Sequence, residues 1–111
     1  MGSDESGDEA ARRFEQVTGR FLAEPDVTQG TGFGTAPGLR TSGKIFAMLV
    51  NATLVVKLPK ERVDELVAAG SAVHFDPGHG RLMKEWASVP VDSPDDWEGL
   101  VAEAFRFVGS R

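Results

Sequence analysis

Both histidines of this 111-residue chain, His74 and His79, lie in one short segment with Asp76 between them. Zinc accepts two imidazoles and a carboxylate, and a histidine can act as a general base near neutral pH. No fourth ligand stands nearby, and no motif places a nucleophile beside either histidine. We therefore predict no metal ion, no cofactor and no catalytic residue, and we keep a small metal-dependent or acid/base enzyme at this turn as an alternative.

A tryptophan with basic neighbours follows the histidine segment. If residues 83–89 form a strand, Trp86 lies on the same face as Lys84, near Arg81 and His79. An aromatic ring beside cations can bind a ligand, a base or a partner protein through stacking or cation–π contacts. We predict a ligand- or partner-binding surface at these four residues. In the competing interpretation, Trp86 packs beneath a helix as part of the core.

Residues 38–44, GLRTSGK, satisfy the spacing GxxxxGK of a phosphate-binding loop. The next residue is Ile45, where such a loop needs a Ser or Thr to hold magnesium. An apolar strand pattern follows, whereas a phosphate loop leads into a helix whose N–H groups point at the phosphate. The segment is therefore predicted to be a turn that enters a strand.

The charge of the chain is uneven around a net value of −5. Residues 40–84 hold seven basic and four acidic side chains, whereas both flanking regions are acidic. A duplex-binding protein typically shows a dense basic stripe, and here the two signs are mixed, as on an ordinary solvated surface. Nucleic-acid binding through this segment is nevertheless an alternative function, for which the candidate residues are Arg40, Lys44, Lys57, Lys60 and Arg62.

Two features of the composition bear on location. The chain has no cysteine, which excludes disulfides and thiolate metal sites. Its longest apolar run, residues 45–50, is far shorter than the roughly 20 residues of a membrane span, and its N-terminus is acidic where a signal peptide is basic and then apolar. We therefore expect a cytoplasmic protein.

Apolar residues at helical spacing predict three helices. The first covers residues 9 to about 23, the second follows Pro59 and ends at Gly70, and the third is capped by Ser93 and ends at Gly109. Their inward residues are Ala10, Phe14, Val17 and Phe21; Val63, Leu66 and Val67; and Trp97, Leu100, Val101, Ala104 and Val108.

Between the first two helices, residues 44–50 and 53–58 predict a β-hairpin. Asn51 suits a tight turn, but Ala52 is a poor second turn residue, so a two-residue turn and a longer loop both stay open. Strict alternation places two apolar sets on opposite faces, Ile45, Ala47 and Leu49 against Phe46, Met48 and Val50. The helices can cover one face, whereas the other needs the remaining segments of the chain or a second copy of the protein, and for this reason we predict a homodimer.

The remaining segments complete one domain. Residues 83–89 predict a third strand, residues 28–38 a loop or an irregular edge strand, and residues 71–82 a turn rich in Gly and Pro. Residues 1–8 have no apolar side chain to bury and predict a disordered acidic tail. The folded domain is therefore expected over residues 9–111.

The order of these elements, with several short motifs, resembles the TfoX N-terminal and MmcQ/YjbR-like families over about residues 9–109. The motifs are GKIFA at 43–47, Lys57 in the next strand, the helix led by Pro59, Gly80-Arg81, MKEW at 83–86 and the helix that carries Trp97. The resemblance implies an α+β fold, an antiparallel sheet flanked by helices in a two-layer sandwich.

The same resemblance implies a non-enzymatic binding or regulatory module. These families are linked to natural-competence regulation and to a proposed DNA-binding role, although most members have no established activity. Full-length competence regulators carry a further C-terminal domain, whereas this chain ends at Arg111. A role carried by that second domain is therefore not expected here.

Overall fold

A computed structural model describes residues 2–31, 36–76, 83–93 and 96–109, the first five of these by their backbone alone. The elements in chain order are α1 Gly2–Phe21, β1 Val27–Thr31, β2 Pro37–Thr41, β3 Lys44–Val50, β4 Thr53–Lys57, α2 Lys60–Ala68, β5 Val73–Phe75, β6 Met83–Pro90 and α3 Trp97–Gly109. None of these described helices has the length and apolar character that crossing a membrane requires.

The six strands form one antiparallel sheet in the order β1-β2-β3-β4-β6-β5. The predicted α+β class, an antiparallel sheet flanked by helices, is confirmed. The main core joins buried side chains of all three helices to one face of the sheet. A second, smaller cluster on the opposite face, which we call the helix-free face, contains no residue of a described helix. Its buried members are Met48, Val55, Phe75 and Trp86.

The predicted inward faces of the helices are confirmed, because every residue of the three stripes is buried except Val67, which is partly buried. The second helix ends as predicted. Gly70 has a positive φ of 78°, and the N–H groups of Gly70 and Ser71 donate to the carbonyls of Val67 and Leu66. These two bonds satisfy carbonyls that the helix end would otherwise leave without partners.

The starts of the first and third helices differ from the prediction. Helix α1 begins at Gly2, so residues 2–8, predicted as part of a disordered tail, form its first turns. A helix that has nucleated gains one hydrogen bond per added residue, and acidic residues suit its N-terminal end. In α3 the cap is Asp96, whose Oδ2 accepts from the Gly99 N–H at 3.3 Å, while Ser93 Oγ donates to the Ser71 carbonyl at 2.9 Å.

A β-bulge in β3 changes which side chains face the helices. Leu39 pairs with Ala47 but the next residue, Arg40, pairs with Ile45, so β3 has an extra residue at this point. Phe46 and Ala47 consequently both join the main core, whereas Ile45 packs with the cluster on the helix-free face. The strict alternation predicted for β3 is therefore wrong on the N-terminal side of the bulge.

The turns that join β2 to β3 and β3 to β4 each contain two residues. Ser42 and Gly43 have φ values of 51° and 81°, and Asn51 and Ala52 have values of 50° and 63°. Positive φ at both central positions defines the type I′ turn, whose twist matches that of the flanking strands. Of the two predicted alternatives, the two-residue turn between β3 and β4 is thus correct. Ala52 adopts a left-handed conformation that glycine adopts more readily than alanine.

Two of the six described strands, β2 and β5, were not predicted as strands. Strand β1 confirms the edge strand considered for residues 28–38, but β2 was not predicted as a separate strand. Strand β5 has only three residues and lies in the segment predicted as a turn. Such short segments offer too few residues for a period of two to be recognised.

Replacing Ala52 by glycine is expected to stabilise the protein. A left-handed conformation costs a residue with a Cβ about 1 kcal/mol or more, and the extra unfolded-state freedom of glycine offsets part of this gain. We expect Ala52→Gly to raise the free energy of unfolding by about 0.5 kcal/mol in urea denaturation.

The matched control is Ala69→Gly, because Ala69 has an ordinary φ of −80° and should lose stability. A loss at Ala52 as large as that at Ala69 would contradict the strain assigned to this turn.

Candidate binding groove

A groove of about 580 Å³ lies at one end of the sheet, where β3 begins, β4 ends and β6 begins. Its lining residues are Arg40, Gly43, Lys44, Ile45, Lys57, Met83, Trp86 and Val108. Six of them come from four adjacent strands, β2, β3, β4 and β6, whereas Gly43 belongs to the turn before β3 and Val108 to the last turn of α3, so residues up to 68 positions apart in sequence meet here. Three of them are cations and three are large and apolar.

Trp86 is at the β6 side of the groove, directly opposite Lys57 in the register of β4 and β6. The Lys57 ammonium lies 5.5 Å from the centroid of the Trp86 ring, a cation–π contact, and 3.8 Å from Glu85 Oε1. Trp86 is only 5% exposed and packs with Met48 and Phe75 on the helix-free face. The side chain is therefore buried, as the core interpretation predicted, but against the sheet face that no described helix covers.

Arg40 is held in place by backbone oxygens. Its Nη1 donates to the Gly43 carbonyl at 3.1 Å and its Nη2 to the Thr31 carbonyl at 2.9 Å, so the guanidinium joins the turn before β3 to the edge strand β1. Within the described ranges, neither Arg40 nor the exposed Lys44 has a carboxylate within ion-pair distance. This end of the groove thus carries two positive charges that the described part of the chain does not neutralise.

The five residues considered for nucleic-acid binding divide into two groups. Arg40, Lys44 and Lys57 line the groove, whereas Lys60 and Arg62 lie on α2, which packs on the other face of the sheet. Both α2 cations are paired with carboxylates, so the five residues do not form one basic surface.

The α2 ion pairs have short distances. Lys60 Nζ lies 2.7 Å from Asp64 Oδ2, and Arg62 binds both carboxylate oxygens of Glu103 on α3 at 2.9 and 3.1 Å. The hydrogen bonds that Arg62 donates to Glu103 raise the pKa of Arg62 further above its usual range. Since each of these cations has its own counterion, an external anion would have to compete with a carboxylate.

Of the four residues predicted around Trp86, two are described. Trp86 belongs to the groove, and Lys84 is an exposed residue of the same strand that makes no ion pair with any described residue. His79 and Arg81 lie outside the described residues. The sequence did not suggest Ile45, Met83 or Val108 as lining residues. Ile45 reaches the groove only because of the bulge.

Of the two histidines only His74 lies within the described residues, and it contacts helix α2. His74 Nε2 lies 3.4 Å from Asp64 Oδ1 on α2, and His79 falls outside the described ranges. Among the residues that are described, no group of three His, Cys, Asp or Glu side chains could hold a metal ion. The structure thus places His74 in a contact between β5 and α2.

An antiparallel sheet with helices on one face and a basic groove at one end defines a small two-layer α+β domain. A family model, YjbR, matches residues 22–107, and the chain belongs to this family. The predicted resemblance to the MmcQ/YjbR-like family is confirmed, and the match begins directly after α1. The searches of curated proteins and of solved structures gave no significant match.

The contact between Lys60 and Asp64 should affect the acid titration of Asp64. The hydrogen bond from Lys60 lowers the pKa of Asp64, with a smaller contribution from His74. A lowered folded-state pKa contributes stability above the unfolded-state pKa, and this contribution is lost as the pH falls through the folded-state value. In Lys60→Met, the Asp64 pKa measured by carboxyl ¹³C NMR should rise.

Lys84→Met serves as the control, because Lys84 makes no described contact with Asp64 and should leave its titration unchanged. An Asp64 midpoint that is the same in Lys60→Met and in the parent protein would disprove the assigned cause.

Proposed function

We propose that this YjbR-family domain is a non-enzymatic binding module and that it binds its ligand in the basic groove. The observation that carries the proposal is the convergence of Arg40, Lys44 and Lys57, from three neighbouring strands, on a floor formed largely by Ile45 and Trp86. Cations that are held close together repel one another, and an anion bound between them relieves this repulsion.

The contrast with α2 supports an anionic ligand. On α2 each basic side chain is matched by an acidic one at hydrogen-bond distance, as is common on a solvated surface. In the groove, Arg40 is oriented by carbonyl oxygens, which leave its charge in place. Preset donors with an uncompensated charge favour binding of a carboxylate or a phosphate.

Nucleic acid is the second candidate ligand. Lys84 is exposed on β6 and extends the basic character of the groove along that strand. If a single strand made three phosphate contacts, a plot of log affinity against log salt concentration would have a slope of about −2. This is a weak salt dependence for a nucleic-acid-binding protein. We therefore rank a polymeric nucleic acid below a smaller anion.

Other predictions from the sequence keep the status of hypotheses. An enzyme at the His74 and His79 turn is one, and a cytoplasmic location is another. The homodimer is also a hypothesis. The need to cover a second apolar face supports it less strongly, because Met48 and Phe75 on the helix-free face are already buried, at 0% and 7% exposure.

The proposal is tested by titrating ¹⁵N-labelled protein with adenosine triphosphate, a single-stranded oligonucleotide and a duplex of equal length at low salt. We expect amide shifts to cluster on Lys44, Ile45 and Lys57, together with the indole N–H of Trp86. Lys44→Gln should weaken binding about three- to fivefold, the usual effect of removing one exposed charge.

Lys60→Gln is the matched control, because it removes one exposed charge from the paired surface of α2 and should leave affinity unchanged. Shifts that cluster on α2, or equal effects of the two variants, would contradict a ligand site in the groove.

A further inference from the structure

We infer that the ligand of the groove is a small amphipathic organic anion, in which a phosphate or carboxylate is attached to a flat apolar body. This inference rests on the proposed function and names its substrate class. It follows from the order of the lining side chains across the sheet, from the contacts that fix Arg40 and Lys57, and from the distribution of acidic residues elsewhere in the chain.

The anionic group is assigned to the β2–β3 end of the groove. A guanidinium has five N–H donors, and the described contacts of Arg40 use one on each Nη. Because the two carbonyls fix the plane of the guanidinium, its remaining donors present a preset edge that suits two oxygens of one planar or tetrahedral oxyanion. Lys44 lines the same end and adds a mobile charge.

The apolar body is assigned to the floor that follows across the sheet. Ile45 on β3, and Met83 and Trp86 on β6, supply large apolar side chains to the groove. Lys57 stands between them, and its ammonium is already engaged by the Trp86 ring and by Glu85. Its charge is therefore less available to an external anion than the charges of Arg40 and Lys44, and its aliphatic stem adds to the apolar surface.

The dimensions fit a molecule of one or two rings. Arg40 and Trp86 are separated by three strand spacings, which is about 14 Å across the sheet. The volume of about 580 Å³ lies within the range of small-molecule sites. A ligand with its anionic group at Arg40 and an apolar part that extends over Ile45 toward Trp86 would stay within the groove.

A long polyanion fits less well. Beyond the groove, Lys60 and Arg62 are paired with carboxylates, and the chain has a net charge of −5. Residues 85–111 alone hold six acidic and two basic side chains. A polymer that continued past the groove would be repelled by this excess of negative charge over more of its length than a short anion.

The inference is tested with three matched probes, 1-naphthyl phosphate, inorganic phosphate and 1-naphthol, each titrated against the ¹⁵N-labelled protein. We expect 1-naphthyl phosphate to bind at least ten times more tightly than either of the others and to shift Lys44, Ile45 and the Trp86 indole. Arg40→Gln should weaken its binding at least tenfold, equivalent to about 1.4 kcal/mol, and leave the affinity for 1-naphthol unchanged.

Because Arg40 also joins two strands, Lys44→Gln provides a second variant at an exposed position, and Lys60→Gln provides the control. We expect Lys44→Gln to weaken 1-naphthyl phosphate binding at least threefold and Lys60→Gln to have no effect.

Three outcomes would overturn the inference. Equal affinities for 1-naphthyl phosphate and inorganic phosphate would show that the apolar floor does not contribute to binding. Equal affinities for 1-naphthyl phosphate and 1-naphthol would show that the cations do not contribute. Groove shifts with an oligonucleotide but not with 1-naphthyl phosphate would reject the ligand class and leave the proposed function standing. No groove shift with any probe would reject both.

Discussion

The extra residue that forms the bulge in β3 decides which side chains reach each face of the sheet. Because of it, Phe46 joins the helix side, where its ring centroid lies 5.5 Å from that of Phe105 and 6.3 Å from that of Phe21. Ile45 is turned to the opposite face and enters the groove. Without the bulge, the strand would offer Ile45 to the helices and Phe46 to the groove.

Placing all the described helices on one side has a further consequence. The helix-free face must bury its own large apolar residues, and Met48, Val55, Phe75 and Trp86 do this by packing together. These residues form a packed apolar centre on this face, while the charged side chains of the groove lie toward one end of the sheet. A binding surface on such a centre needs little rearrangement, which lowers the entropic cost of binding.

How much of this arrangement the sequence could predict depended on the length of each element. The helical stripes and the glycine that ends α2 were evident because several spaced residues gave the same indication. Strand β5 was not, since three residues have no measurable period. The bulge could not be foreseen either, because it appears only in the pairing of Arg40 with Ile45, and that pairing depends on another strand.

The candidate site shows the same limit. Trp86 and the basic residues could be chosen by type, but their grouping required the strand order, which places Arg40 and Trp86 in one groove and sends Lys60 and Arg62 to the other face. Ion pairing also distinguishes the basic residues from one another, which residue type cannot do. Sequence alone treats these cations alike, whereas the structure separates those with carboxylate partners from those without.

The position of Trp86 is the central claim, because the groove exists only if this ring lies on the helix-free face beside Lys57. Nuclear Overhauser effects from the Trp86 indole protons test it directly. The structure predicts contacts with the Lys57 side chain and with the methyl group of Met48. Contacts from the indole to side chains of α3, such as Leu100 and Ala104, without any to Lys57 would contradict the fold of this face and the binding groove built on it.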